Sequence, residues 1–170
     1  SISNGDFAVI PLSDYKASYT GTWANNSIFI MPSLEVFDSF KIEAGVRRED
    51  SLMKIKTSTD PVTGELKEAT IEDDDIYPTL NISVTPFEDF KIRFAYYESI
   101  KRPDFREVAP AQFTDTVSGD VYKGNEKLVS ANIDNLDFRF EYYFSDTESA
   151  SLAIFRKDFE GAIERNAAFI

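Results

Sequence analysis

The chain has 170 residues, 42 % of them hydrophobic and 28 % charged, with 15 Phe, 8 Tyr and a formal net charge of -12. This composition excludes a disordered chain, and no apolar run approaches the roughly 20 residues that a membrane-spanning helix needs. The absence of Cys and His excludes a disulfide scaffold, a thiolate zinc site and the commonest catalytic base. The negative charge argues against nucleic-acid binding.

Apolar and polar residues alternate with a period of two along several segments, which predicts β-strands and not helices. Ile28 and Ile30 begin a weakly marked strand. Clearer alternation follows at 40–47, 76–86, 90–97 and 136–144, and it continues more weakly at 150–154. We predict an all-β fold of about six antiparallel up-and-down strands.

Short and long connections alternate along the chain. The short ones, at 34–38, 86–89 and 145–148, contain Pro, Asp and Ser, which suit tight turns. The long ones are polar and run from about 50 to 75 and from about 101 to 130. This asymmetry is typical of a transmembrane β-barrel in an outer membrane, with strands of roughly 9 to 11 residues.

The alternation separates two sets of side chains. The first set is predicted to face lipid and comprises Phe40, Ile42, Phe90, Ile92, Phe94, Phe138, Phe140 and Tyr142. The second set is predicted to face the barrel lumen and comprises Lys41, Glu43, Arg47, Lys91, Arg93, Asp137, Arg139 and Glu141. A charge on the lipid side would cost roughly 2–4 kcal/mol at the bilayer midplane. A soluble all-β binding or adhesion module, with the apolar set in a closed core, is the alternative.

Three other features have both a structural and a functional interpretation. The run from Glu72 to Asp75 is a solvated acidic segment or, less favoured, a Ca²⁺ site. Trp23, Phe113 and Tyr122 are predicted in loops, where they could contact a ligand. We predict no catalytic residues, no metal and no cofactor, because nucleophile and phosphate-loop motifs are absent. A glycosidase that uses two carboxylates is a third alternative.

The segment 102–107 holds Arg102, Pro103, Asp104, Phe105, Arg106 and Glu107, and follows a predicted strand. Its two guanidiniums could bind an anionic ligand. The favoured interpretation is structural, with Pro103 ending the strand and Arg106 or Glu107 pairing with lumen charges.

Several segments, taken in order, resemble TonB-dependent outer-membrane receptors. The sequence FKIEAGVRRED at 40–50 resembles a strand of that family, and 73–110 resembles its Pro-containing strand, hairpin and Arg-Pro-x-Phe-Arg-Glu segment. The sequence GNEKL at 124–128 is similar to its Gly-Asn-Pro-x-Leu loop, with Glu126 in place of Pro. The segments 135–144 and 151–159 resemble the next hairpin, with Arg156 in place of an aromatic residue.

The resemblance implies a piece of a 22-stranded barrel that is plugged by an N-terminal domain and sits in the bacterial outer membrane. The implied function is uptake of a scarce ligand such as a ferric siderophore, cobalamin or oligosaccharide, powered by the inner-membrane TonB complex. We expect residues 1–170 to be partial barrel, without plug, signal peptide or closing C-terminal strand. Six strands alone leave two open edges, which lipid does not tolerate.

Overall fold

The computed structural model describes residues 18–57, 66–115 and 117–166. They form nine strands and one short helix. In chain order these are β1 Tyr19–Ile30, β2 Ser33–Val36, β3 Phe40–Thr57, β4 Glu68–Phe87, β5 Phe90–Lys101, α1 Phe105–Val108, β6 Gln112–Thr114, β7 Val121–Lys123, β8 Ala131–Ser145 and β9 Glu148–Glu160. The expectation that no signal peptide is present concerns the start of the chain, and residues 1–17 lie outside the described residues.

The main sheet is antiparallel, in the order β1-β3-β4-β5-β8-β9, and β2 also pairs with β3. β1 and β2 pair with β3 in one register, since Ile30 lies opposite Val46 and Ser33 opposite Glu43. The interruption between them includes Pro32, which has no N–H to donate to the ladder. The prediction of an all-β, antiparallel, up-and-down fold is therefore confirmed.

The three short turns of the main sheet, before β3, between β4 and β5 and between β8 and β9, lie at one end of the sheet, here called the turn end. Two of them fall inside the predicted segments, between Phe87 and Phe90 and between Ser145 and Glu148. The first turn is later than predicted, because Leu34 still pairs in β2 and the chain reverses at Phe37, which has a positive φ of 49°. At the opposite end, the loop end, β3 connects to β4 and β5 to β8.

The predicted long loop from about 50 to 75 was wrong over most of its length. β3 continues to Thr57 and β4 begins at Glu68, so these strands have 18 and 20 residues, more than predicted. Residues 58–65 of that predicted loop lie outside the described residues. A strand continues through polar residues as long as a neighbouring strand supplies partners for its backbone hydrogen bonds. The polar residues in this segment therefore indicated contact with water and not a loop.

The predicted loop from about 101 to 130 is not structureless. It contains α1 and the two-stranded β6–β7 ladder, and it folds back over one side of the main sheet. We call this segment, residues 102–130, the folded loop.

Successive side chains of a strand point to opposite sides. The register of the sheet therefore places Phe40, Phe94 and Phe138 on one side, the Phe face, and Arg47, Arg93 and Arg139 on the other, the Arg face. Near the turn end neither face is covered by a second layer of the described chain.

The buried core lies on the Arg face at the loop end. β3 contributes Met53 and Ile55, β4 contributes Ala69 and Ile71, and the folded loop covers them with side chains that include Val108. The apolar residues of β3 therefore change face along the strand, from even positions up to Val46 to odd positions from Met53. No helix in the described part of the chain is long and apolar enough to cross a membrane.

Candidate functional site

The Arg face carries a ladder of opposite charges. All eight residues of the predicted lumen-facing set lie on it: Lys41, Glu43, Arg47, Lys91, Arg93, Asp137, Arg139 and Glu141. Within one strand, Lys41 Nζ is 2.8 Å from a Glu43 oxygen and Arg139 Nε is 2.9 Å from a Glu141 oxygen. These i, i+2 pairs form because residues two apart on a strand share a face.

Glu141 neutralises two arginines that face each other. Arg93 and Arg139 are directly opposite in the β5–β8 register, an arrangement that is unfavourable for like charges. The Glu141 carboxylate lies 3.4 Å from Arg93 Nε and 2.9 Å from Arg139 Nε, and it accepts a hydrogen bond from the Tyr143 hydroxyl at 2.9 Å. Glu141 is only 7 % exposed, so the three cationic and phenolic groups around it satisfy a buried carboxylate.

The Phe face is apolar near the turn end and open. All eight residues of the predicted lipid-facing set lie on it: Phe40, Ile42, Phe90, Ile92, Phe94, Phe138, Phe140 and Tyr142. The rings of Phe94 and Phe138 are 4.9 Å apart, and those of Phe90 and Tyr142 are 6.5 Å apart. Leu152 and Ile154 continue this face on β9 and are 61 % and 59 % exposed.

The apolar part of the Phe face has a definite length. It runs from Phe40 to Val46 on β3 and from Ile76 to Val84 on β4. At roughly 3.3 Å per residue these stretches are about 20 to 26 Å long along the strand. At the roughly 35–45° tilt of barrel strands they would span about 14 to 21 Å of the about 25 Å apolar band of a barrel.

Ion pairs follow where the apolar stretch ends. On the Phe face, the Arg48 guanidinium contacts both carboxylate oxygens of Asp74, at 3.0 and 2.9 Å. Arg156, where the resembling family has an aromatic residue, pairs with Asp158 at 2.8 Å on the same face. The same face therefore changes from apolar to charged towards the loop end.

Arg102 connects the folded loop to the sheet. Its Nη2 lies 2.8 Å from Glu49 Oε2 and its Nε lies 3.0 Å from Asp73 Oδ2, which also accepts a hydrogen bond from the Ser130 hydroxyl at 3.0 Å. The Arg102 side chain is 13 % exposed. Burial works to lower the pKa of Arg102, but bonding to Glu49 and Asp73 outweighs burial, so its pKa lies above the ordinary value. The Asp73 carboxylate thus holds both ends of the folded loop, through Arg102 at one end and Ser130 at the other.

The rest of segment 102–107 also makes contacts within the protein. Pro103 is fully buried, and the Glu107 carboxylate accepts the Asp104 N–H at 2.7 Å at the start of α1. Phe105 packs so closely over Gly21 of β1 that a Cβ there would lie 2.6 Å from the ring. The Arg106 guanidinium lies over the Phe113 ring at 5.4 Å. The expected pairing of Arg106 or Glu107 with lumen charges was wrong. Arg102, the residue nearest the strand, pairs with carboxylates of the sheet instead, those of Glu49 and Asp73.

A cavity of about 340 Å³ lies where the folded loop meets the start of β4. Its lining is Lys67, Pro110, Lys123, Gly124, Asn125, Glu126 and Lys127. Sequence reasoning found the Gly-Asn-x-x-Leu turn but not this cavity, because Lys67 is brought to the turn only by the tertiary structure.

The acidic run from Glu72 to Asp75 lies inside β4 and not in a loop, so alternation places its carboxylates on opposite faces. Among the described residues no group of three or more acidic side chains could hold a metal ion.

The three aromatic residues predicted in loops lie in strands. Trp23, in β1, donates a hydrogen bond from Nε1 to Ser51 Oγ at 2.8 Å. Phe113, in β6, packs edge-on against Tyr19, with ring centroids 5.9 Å apart. Tyr122, in β7, lies under the Arg165 guanidinium at 5.2 Å.

A family model decides the class of this sheet. The model described as "TonB dependent receptor-like, beta-barrel" matches residues 2–169. The chain belongs to this family. TonB-dependent receptors are outer-membrane receptors and transporters and not a family of enzymes, in agreement with the resemblance noted in the sequence.

Two solved structures share the fold. The chain is 16 % identical to the siderophore receptor PiuA from Acinetobacter baumannii, with a TM-score of 0.59 over 81 % of this chain and 19 % of PiuA. It is 18 % identical to the siderophore receptor PirA from Pseudomonas aeruginosa, with a TM-score of 0.51 over 82 % of this chain and 32 % of PirA. The chain thus spans between a fifth and a third of these receptors. No curated protein matches it.

Proposed function

We propose that this chain is part of the barrel wall of a TonB-dependent importer in the bacterial outer membrane. In this proposal the Phe face meets lipid, the Arg face lines the lumen, the turn end is periplasmic and the loop end is extracellular. The main support is the uncovered apolar stretch of the Phe face, which ends in exposed ion pairs at the loop end. A soluble protein would cover such a stretch, whereas lipid requires it.

The cargo is proposed to be a scarce ligand such as a ferric siderophore, cobalamin or oligosaccharide. Family membership supports active uptake, and the two solved structures of like fold are both named siderophore receptors. The energy is proposed to come from the inner-membrane TonB complex, acting through a plug region that belongs to the remainder of the protein. Residues 1–170 are accordingly proposed to be partial barrel domain.

The orientation of the two faces can be tested with a spin label. Ile92 and Phe138 on the Phe face, and Arg93 and Arg139 on the Arg face, are each changed to Cys in the full-length receptor, freed of other cysteines and reconstituted in lipid vesicles. Labels at positions 92 and 138 should collide with molecular oxygen, which concentrates in lipid. Labels at 93 and 139 should collide with a water-soluble nickel chelate. The reverse pattern, or equal accessibility on both faces, would refute the proposal.

A further inference from the structure

The cavity lined by Lys67, Lys123 and Lys127 has an unusual electrostatic character. The chain carries a net charge of -12, and most of its described cations are already engaged. Nine form ion pairs: Lys41, Arg47, Arg48, Lys56, Arg93, Lys101, Arg102, Arg139 and Arg156. Arg106 and Arg165 lie over aromatic rings.

Six described lysines have neither an ion pair nor a ring contact, namely Lys54, Lys67, Lys91, Lys123, Lys127 and Lys157. Three of these six line this one cavity. Glu126 is the acidic residue of the lining, so the lining keeps a positive excess. Cations without partners in a concave surface attract anions more strongly than the same charges on a flat one.

The backbone that carries these lysines is held in place. The N–H of Asn125 donates to the Glu107 carbonyl at 2.7 Å, and the Asn125 side chain accepts the Lys127 N–H at 3.0 Å. Gly124 lies so close to the end of α1 that a Cβ there would overlap the Ala109 carbonyl oxygen. Lys67 is fixed by Thr57, whose N–H donates to the Lys67 carbonyl at 3.0 Å. The lysines thus project from a rigid frame, which lowers the entropy cost of gathering them around a ligand.

We propose that this cavity binds a compact, multiply charged oxyanion group: a carboxylate, catecholate or phosphate cluster on an incoming ligand. The inference rests on the proposed function in one respect: with the loop end extracellular and the Arg face lining the lumen, the cavity lies at the outer mouth of the lumen. It favours anionic cargo over neutral oligosaccharide, because an ammonium group without a partner contributes much less binding free energy with an uncharged hydroxyl group than with an anion.

The test uses the full-length receptor in non-ionic detergent at low salt and three probes. These are a trianionic iron(III) tris-catecholate complex, an uncharged iron(III) trihydroxamate complex of similar size, and inorganic pyrophosphate. The variant K67Q/K123Q/K127Q is compared with K54Q/K56Q/R156Q, which removes the same charge from the loop end of the Phe face. A third variant, K67R/K123R/K127R, keeps the charge of the cavity.

We expect the cavity variant to weaken binding of the tris-catecholate complex or pyrophosphate about tenfold or more, and the uncharged complex less than about twofold. The Phe-face control should change anion binding less than about twofold, the arginine variant should restore it, and added salt should weaken it. Which of the two anions responds identifies the catecholate or the phosphate class. All the substituted residues are exposed, so heat-modifiable gel mobility should show all three variants folded.

Equal losses in the cavity variant and in the control would overturn the inference, since a diffuse field would then explain binding. Anion binding that is unchanged in the cavity variant, or no anion binding at all, would overturn the inference as well. The proposed function is judged separately, by TonB-dependent uptake in cells that express the wild-type receptor. Uptake without lysine dependence would refute the anion site alone, whereas no TonB-dependent uptake would refute the proposed function.

Discussion

At the scale of single residues, Arg102 illustrates how a buried cation is tolerated. Glu49 and Asp73 come from two neighbouring strands and meet one guanidinium from the start of the folded loop. Arg47 also contacts Glu49, so each charge has an opposite partner. Removal of one member leaves buried charges without compensation, which costs more than the whole group contributes.

Arg102→Ala should therefore destabilise the folded loop by about 3 kcal/mol. The measurement is hydrogen exchange of the amides of residues 105–128 in the full-length receptor. Arg156→Ala, which breaks an exposed pair on the Phe face, is the matched control and should cost less than about 1 kcal/mol. Unchanged protection in the Arg102 variant would show that the ion pairs do not hold the loop.

Gly124→Ala should also loosen the folded loop, by about 3 kcal/mol, because the new methyl group would overlap the carbonyl oxygens of Ala109 and Arg106. Gly119→Ala is the control. Its surroundings are open within 4 Å and its cost, about 1 kcal/mol, comes only from its positive φ of 78°. Comparable exchange rates in the two variants would argue against close packing at position 124.

At the scale of elements, the strands have two chemically distinct halves. Along β3 and β4 the apolar residues move from the Phe face to the Arg face between the turn end and the loop end. This change fits a strand that leaves lipid and enters a region where its outer side meets water and its inner side packs against a loop. β3 and β4 are longer than predicted for the same reason, since both strands continue beyond the apolar stretch into this region.

Phe138→Arg should destabilise the barrel by roughly 2–4 kcal/mol, since it places a charge on the proposed lipid side and removes the ring contact with Phe94. Asn81→Arg is the control on the Arg face, where it would lie directly opposite Glu43. The free energy of unfolding in denaturant and lipid vesicles distinguishes them. An equal loss of stability in the two variants would contradict the assignment of the faces.

The β6–β7 hairpin should respond to pH through Asp115. Backbone N–H groups of Val117 and Ser118 donate to its carboxylate and hold the pKa of Asp115 below its ordinary value. A depressed pKa stabilises the hairpin above the ordinary pKa, and this stabilisation is lost as the pH falls through the depressed value. Amide protection should therefore be greater than in Asp115→Asn at neutral pH and equal to it in strong acid. A difference that persists in strong acid would contradict this explanation.

At the scale of the whole molecule, the described sheet has two edges, one formed by β1 and β2 and the other by β9. Backbone groups along an unpaired edge cannot be left open in lipid. Expressed alone and refolded into detergent, residues 1–170 should therefore not give a monomeric, heat-modifiable barrel. A monodisperse monomer in detergent, with protected β1 and β9 amides, would show that the edges close in some other way.

The amino-acid sequence by itself determined the antiparallel β fold, the residues that share each face near the turn end, and two of the three short turns. These depend on the local period of two and on turn chemistry, which adjacent residues specify. The alternating short and long connections, with the ordered family motifs, were sufficient to indicate a TonB-dependent receptor.

Only the tertiary structure decided what the polar segments do. Arg102 meets Glu49 and Asp73, and Lys67 meets the turn at 124–127, because strand register brings distant parts of the chain together. No local pattern specifies such partners. A change in the apolar phase at Met53 and Ile55 was visible in the sequence, but its meaning depended on the loop that covers them.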